Sequence, residues 1–211
     1  MDFEAARVGL IEYLKAEIKD KRVLAAMAHV PRECFVPPQE RHLAYEDRPL
    51  PIGLDQTISQ PFIVALMTEA LELTGREKVL EIGTGNGYQA AILAELASQV
   101  ITVERLPSLA ETAKKTLKSL DYSNITVHLA KDVLGWPAEA PYDAIIAAAG
   151  APRVPPELLA QLAIGGRMVI PVGQRYVQEL YKITRQRKKN KIQSLGGCRF
   201  VSLIGKGAWE D

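Results

Sequence analysis

The chain has 211 residues, 47% hydrophobic and 24% charged, with 26 Lys and Arg against 25 Asp and Glu. That composition suits one compact globular unit with some elaboration and excludes a disordered, fibrous or disulfide-scaffold protein. A net charge of +1 supplies no basic excess for nucleic acid or a membrane surface, and no apolar run reaches the ~18 residues that a bilayer span requires.

Residues 1–30 read as helical, with Val8, Ile11, Tyr13, Leu14 and Ile18 recurring at helical spacing and a second amphipathic stretch at 23–28. Charged residues are mixed through the first twenty positions, so no secretory h-region is present. Pro31, Pro37, Pro38, Pro49, Pro51 and Pro61 then mark an extended, mostly irregular segment. A loop of that length inside a compact protein is either functional or the packing of an N-terminal subdomain, and composition alone leaves both open.

From Phe62 the pattern becomes regular. A helix is predicted over 62–73, a buried strand over 78–82, a helix over 87–96 and a strand over 99–104. A helix over 109–120, strands over 125–129 and 142–147, a short helix over 156–162 and a strand over 167–172 follow. Strands alternating with helices of about ten residues indicate βαβ units and a doubly wound parallel sheet. The tail differs: β-runs at 176–184 and 192–204 flank the polar link 185–191, which predicts an antiparallel hairpin with a solvated basic tip. The expected organisation is an N-terminal helical and Pro-rich extension, 1–61, covering a compact α/β domain, 62–211.

The most informative stretch is Val79-Leu-Glu-Ile-Gly-Thr-Gly-Asn-Gly-Tyr88. A strand runs into Gly83-x-Gly85-x-Gly87 and a helix follows, which places a tight turn at the ligand-binding end of the sheet. The dinucleotide fingerprint would need its third glycine where Tyr88 stands. Instead Glu81 precedes the first glycine by two residues, and a carboxylate there repels a pyrophosphate but tolerates a cation. S-adenosylmethionine, with its adenosyl group, sulfonium and α-ammonium, fits that turn. Glu104 ends the next strand, 17 residues past Gly87, where a carboxylate can accept from both ribose hydroxyls. Asp132, after the third strand of the sheet, either caps its loop or accepts from the adenine amino group. Gly83, Thr84, Gly85 and Gly87 with Glu81, Glu104 and Asp132 are thus the candidate cofactor set of a class I, Rossmann-like methyltransferase fold.

A second segment, Asp47-Arg-Pro-Leu-Pro-Ile-Gly-Leu-Asp-Gln-Thr-Ile-Ser-Gln-Pro61, resembles the region before the sheet in the protein-L-isoaspartate (D-aspartate) O-methyltransferase family. The resemblance continues through residues 79–89, 142–146, 155–159, 165–173 and 199–205, in order. It implies methylation, by S-adenosyl-L-methionine, of the α-carboxylate of L-isoaspartyl residues in damaged proteins and peptides, with acceptance of D-aspartyl residues left open. The product cofactor is S-adenosyl-L-homocysteine, and the ester closes to a succinimide as the first step of repair. It further implies that Thr57, Ile58, Ser59 and Gln60 contact the substrate, with Ser59 as the active-site residue. A carboxylate with pKa near ~4 is already nucleophilic at neutral pH, so no general base is required. In keeping with that, His29, His42 and His128 all fall outside the motifs. Two departures stand out: Lys131-Asp132-Val133 replaces the family's Gly-Asp-Gly, and Ala148-Ala-Gly-Ala-Pro152 lacks a hydroxyl that relatives carry.

The rival readings are a class I methyltransferase acting on a small molecule or RNA, and a cofactor-binding module without catalysis. Ser59 also has a bland reading, as the cap of the helix that begins near Phe62. Cys34 and Cys198 are distant and outside metal-ligand spacing. A cytoplasmic, metal-free monomer acting without nucleic acid or membrane is expected.

Overall fold

Two capped helices open the chain in the computed structural model, which describes residues 2–210. Asp2 accepts from the Ala5 N–H at 3.0 Å at the start of α1 (Phe3–Leu14). Asp20 accepts from the Arg22 N–H at 2.8 Å and starts α2 (Lys21–His29), which is why the helical pattern of the first thirty residues divides there.

The Pro-rich segment is more regular than its composition predicts. Two short 3₁₀ turns, Arg32–Phe35 and Pro38–Leu43, lead to an antiparallel hairpin of β1 (Leu50–Gly53) and β2 (Gln56–Ile58). The loop between them is Leu54-Asp55, both left-handed at φ 52° and 57°. Two-residue hairpin turns with both central residues left-handed normally recruit Asn-Gly or Asp-Gly. Leu54 in that place hides the hairpin from a sequence reading. Helix α3 (Pro61–Ala70) follows, and it ends sooner than its apolar pattern because Glu72 turns left-handed at φ 50°.

The strands β3 (Lys78–Ile82), β4 (Gln99–Glu104), β5 (Ile125–Leu129) and β6 (Tyr142–Ala147) form at the bounds their composition predicts. Helices α4 (Tyr88–Ala94) and α5 (Pro107–Ser119) make the crossovers to β4 and β5, and α6 (Pro156–Gln161) leads to β7 (Leu162–Gln174). The hairpin of β8 (Val177–Thr184) and β9 (Lys191–Cys198) completes one sheet in the order β5-β4-β3-β6-β7-β8-β9. The first five of these are mutually parallel, and β8 and β9 are antiparallel additions. Separate clusters of buried side chains cover the two faces. Val79, Val100 and Ile146 pack with α2, α3 and α4, while Leu80, Ile101 and Ile145 pack with Leu158 of α6. The N-terminal residues Leu10, Val30, Phe35 and Leu50 belong to the first cluster, continuous with the sheet.

Strand order reverses between β3 and β6, which opens a crevice at the carboxyl ends of the strands. The chain after β9 closes its far side. The Gly150 N–H donates to Val201 O and the Leu203 N–H to Gly150 O, each at 2.8 Å, so residues 199–204 leave the sheet and cross the end of β6. The β-run predicted over 192–204 is therefore a strand only to Cys198.

Candidate active site

The glycine turn is pinned from β4. Gly83 and Thr84 donate their N–H groups to Val103 O at 2.8 and 3.3 Å. Gly83, Gly85 and Gly87 all have positive φ (90°, 53° and 93°), a conformation that L side chains rarely adopt. The third glycine faces away from the crevice: a Cβ at Gly87 would meet Leu117 at 3.3 Å, so it permits close packing of α4 on α5.

Around the turn lies a crevice of about 660 Å³, within the usual range for small-molecule sites. Gly83, Thr84, Gly85, Glu104 and Asp132 all line it, as the sequence reading expects. Asn86, Ile52, Leu134 and residues 200–206 line it too and were not anticipated, although the run Arg199-Phe-Val-Ser-Leu-Ile-Gly205 was a visible motif. Glu104 is buried, at 7% exposure, and its two oxygens hold the backbone: Oε2 accepts from the Gly85 N–H at 2.8 Å and Oε1 from the Leu106 N–H at 2.9 Å. A carboxylate has about four lone-pair sites, so both oxygens can also accept from a ligand's hydroxyls.

Glu81 corrects the expectation. Its side chain is fully buried and does not line the crevice. Its Oε2 accepts from Thr102 Oγ1 at 2.5 Å, and Thr102 Oγ1 lies 2.6 Å from Thr84 Oγ1. Burial, with a smaller contribution from the Glu104 charge, pushes its pKa up to about 8 against the Thr102 hydrogen bond. At neutral pH it is a protonated acid under the turn, not an exposed carboxylate that would reject a pyrophosphate. Glu81 and Thr102 are register partners on one face of the sheet, and both faces of a parallel sheet are covered.

The loop that carries Asp132 takes a path suited to Lys131 and Val133. Lys131 Nζ lies 4.7 Å over the Trp136 ring, whose stacked neighbour, at 3.9 Å between centroids, is His128. The left-handed residue is Gly135 (φ 82°) instead, where a Cβ would meet the Gln161 amide at 2.4 Å. Gln161 holds this loop, accepting from the Trp136 N–H and donating to Leu134 O, both at 2.8 Å.

A second groove, of about 720 Å³, adjoins the crevice. Thr57 and Ser59 line both cavities, as do Ala148 and Phe200. Ile58 alternates with them and is buried, at 4% exposure, against the core. Gln60 lines only the second groove and donates from Nε2 to Asp47 Oδ2 at 2.8 Å. Ser59 does not cap α3. That helix begins at Pro61, and its Phe62 N–H donates to Asp47 Oδ1 at 2.8 Å. Among the described residues no protein group pairs with the Ser59 or Thr57 hydroxyl, and no three of His, Cys, Asp and Glu gather as a metal-ligand set. No described helix is long and apolar enough to cross a membrane.

The crevice fits an adenosyl sulfonium on its own chemistry. A buried carboxylate stands at the end of β4 and the turn main chain is unshielded by side chains, since a Cβ at Gly85 would meet only Ile52 at 3.4 Å.

Comparison with known proteins agrees with this geometry. A family model described as Protein-L-isoaspartate(D-aspartate) O-methyltransferase matches residues 6–208. A relative from Syntrophobacter fumaroxidans, Protein-L-isoaspartate O-methyltransferase 1, is 54% identical over all of this chain and 99% of its own. One from Geobacter metallireducens, Protein-L-isoaspartate O-methyltransferase, is 53% identical over 99% of this chain and 98% of its own. Among solved structures, a protein-L-isoaspartate O-methyltransferase superposes with TM-score 0.85 at 28% identity, covering 96% of this chain and 67% of that one. A Plasmodium falciparum chain of the same description, in complex with S-adenosyl-L-homocysteine, superposes with TM-score 0.81 at 26% identity, covering 94% and 98%.

Proposed function

Since the chain belongs to the protein-L-isoaspartate(D-aspartate) O-methyltransferase family, we infer that it transfers a methyl group from S-adenosyl-L-methionine to the α-carboxylate of L-isoaspartyl residues in damaged proteins and peptides. The methyl ester then closes to a succinimide, which reopens in part to a normal aspartyl bond.

In our reading Glu104 receives the ribose hydroxyls, Asp132 the adenine amino group, and the Gly83–Gly85 main chain lies against the ligand. The cofactor, when bound, supplies an electrophilic methyl on a positively charged sulfur. The chain's task is then placement, because the attacking carboxylate is ionised at neutral pH and its displacement is in-line. The observation that carries this reading is the shared wall: Thr57 and Ser59 face the crevice and the adjoining groove together. Their hydroxyls are neutral donors, able to orient a carboxylate without the charge pairing that would lower its nucleophilicity. Ile58, although buried, lines the crevice between them, and Gln60 positions that wall through Asp47. Residues 1–61 act as a cover over both cavities, supported by Ile52 at the turn and by the Asn86 amide donating to Phe35 O. The protein acts on isoaspartyl proteins and peptides as a cytoplasmic monomer without nucleic acid, a reading favoured by its near-neutral charge and two unpaired cysteines.

Labelled methyl transfer to matched peptides, differing only in an L-isoaspartyl or L-aspartyl residue, tests the reaction. Base-labile label on the isoaspartyl peptide alone is expected. Label on neither, with cofactor binding intact, returns the chain to a binding module or to another acceptor.

A further inference from the structure

The groove beside the crevice is electrically one-sided. Its charged lining residues are Arg175, at the β7–β8 turn, and Arg199, just after β9. No Asp or Glu lines it among the described residues. Both guanidiniums lie over aromatic rings: Arg175 is 4.9 Å from the Trp209 centroid and Arg199 is 5.6 Å from the Tyr176 centroid. A guanidinium lying over a ring has its position constrained while its N–H edge stays available for a carboxylate. The Arg175 guanidinium makes one backbone contact, at 3.4 Å to Glu210 O, and among the described residues neither arginine is in an ion pair with a carboxylate. Both are exposed at the groove, whose inner end carries Thr57 and Ser59.

We infer that Arg175 and Arg199 set the sequence preference of this enzyme, selecting isoaspartyl sites flanked by acidic side chains over sites flanked by lysine. This rests on the reading of the groove as the path of the acceptor peptide. A cleft of one sign concentrates ligands of the other and repels its own, and the discrimination arises at the flanking residues, away from the reacting carboxylate. Thr57 and Ser59 contribute no charge to this choice.

The test uses the whole protein and three synthetic isoaspartyl peptides, identical except for flanking Glu, Ser or Lys on both sides of the damaged residue. The reading is the ratio of kcat/KM between the Glu- and Lys-flanked peptides, which a general loss of activity does not move. At low ionic strength the ratio is expected to be about tenfold in favour of Glu, shrinking as salt is raised. Arg175→Gln with Arg199→Gln should bring it close to one, whereas Arg175→Lys with Arg199→Lys should retain most of it. Equal use of the three peptides by the parent overturns the inference, and so does a Glu preference that survives the paired Gln substitutions or salt. A Lys pair that loses the preference also overturns the electrostatic basis. If none of the three peptides accepts label, the isoaspartyl reading itself has failed, an outcome distinct from equal labelling of all three.

Discussion

The guanidinium of Arg32 donates from Nη2 to the backbone carbonyl of Ser59 at 3.0 Å, joining the start of the Pro-rich segment to its functional end. Arg32 is fully buried; its Nε donates to Ala44 O at 2.8 Å and its guanidinium carbon lies 4.9 Å from the Tyr88 ring centroid. Burial pushes its pKa down, and Tyr88, Tyr45 and Asp47 act against that shift.

Replacing Arg32 by Met leaves the carbonyls of Ala44 and Ser59 without their donor. Each unsatisfied group costs roughly 1–3 kcal/mol, so Arg32→Met should lower the unfolding free energy by about 3 kcal/mol. It should also raise KM for an isoaspartyl peptide more than it weakens cofactor binding, because Ser59 loses its anchor while Glu104 does not. Urea denaturation and steady-state kinetics measure both. An unchanged urea midpoint would show that Arg32 carries no part of the segment's order.

Glu104 does two jobs in one place, and its variants separate them. Glu104→Gln retains one carbonyl acceptor for the Gly85 or Leu106 N–H, whereas Glu104→Ala removes both. Hydrogen bonds to a charged acceptor contribute about 1.5–3 kcal/mol each. Calorimetric titration with S-adenosyl-L-homocysteine should therefore show at least about tenfold weaker binding for Gln and a further loss for Ala. Parent-like affinity in Glu104→Ala would remove the ribose assignment.

Glu81 makes stability fall with pH. Its pKa rises from the usual 4.5 to about 8 in the folded protein, so the native state holds a proton that the unfolded chain releases. The stabilisation is complete below pH 4.5 and is lost as pH climbs through 8, at about 1.4 kcal/mol per pH unit in between. Glu81→Gln mimics the protonated form at every pH. The variant's unfolding free energy, measured from pH 5 to pH 9, should gain on the parent's as pH rises. Parallel profiles would mean that Glu81 is not the titrating group.

Much of the sheet was legible because β3, β4 and β6 are short, mostly apolar runs buried on both faces. The same property concealed Glu81: alternation cannot say which way a side chain points when both faces are covered. The cofactor turn was legible through its glycines, yet only packing distinguishes Gly87, which faces Leu117, from Gly83 and Gly85, which face the crevice. The hairpin of β1 and β2 was not legible, since its turn residues are Leu54 and Asp55. Nor was the departure of residues 199–204 from the sheet, whose β-rich composition suits an extended crossing segment as well as a strand. Arg32 carries no signal in the sequence, yet it is a buried organiser by virtue of partners 12 and 27 residues away.

Ser59 decides between a structural and a chemical use of the Thr-Ile-Ser segment. Capping is removed as a role, because Asp47 supplies the oxygen that accepts from the Phe62 N–H. The Ser59 hydroxyl can therefore be deleted without exposing a helix end, and Ser59→Ala should unfold within about 0.5 kcal/mol of the parent. If its hydroxyl aims the acceptor carboxylate, the variant should lose about tenfold or more in kcat/KM for the isoaspartyl peptide, since misplacement of a reacting atom is costly in an in-line transfer. Cofactor affinity should stay close to that of the parent. Thr57→Val, which keeps the shape but not the hydroxyl, should cost less if Ser59 is the main contact and as much if the two act as a pair. Parent-like kcat/KM in Ser59→Ala combined with Thr57→Val would show that the carboxylate is aimed by main-chain groups, and that the hydroxyls at the junction of the two cavities are bystanders.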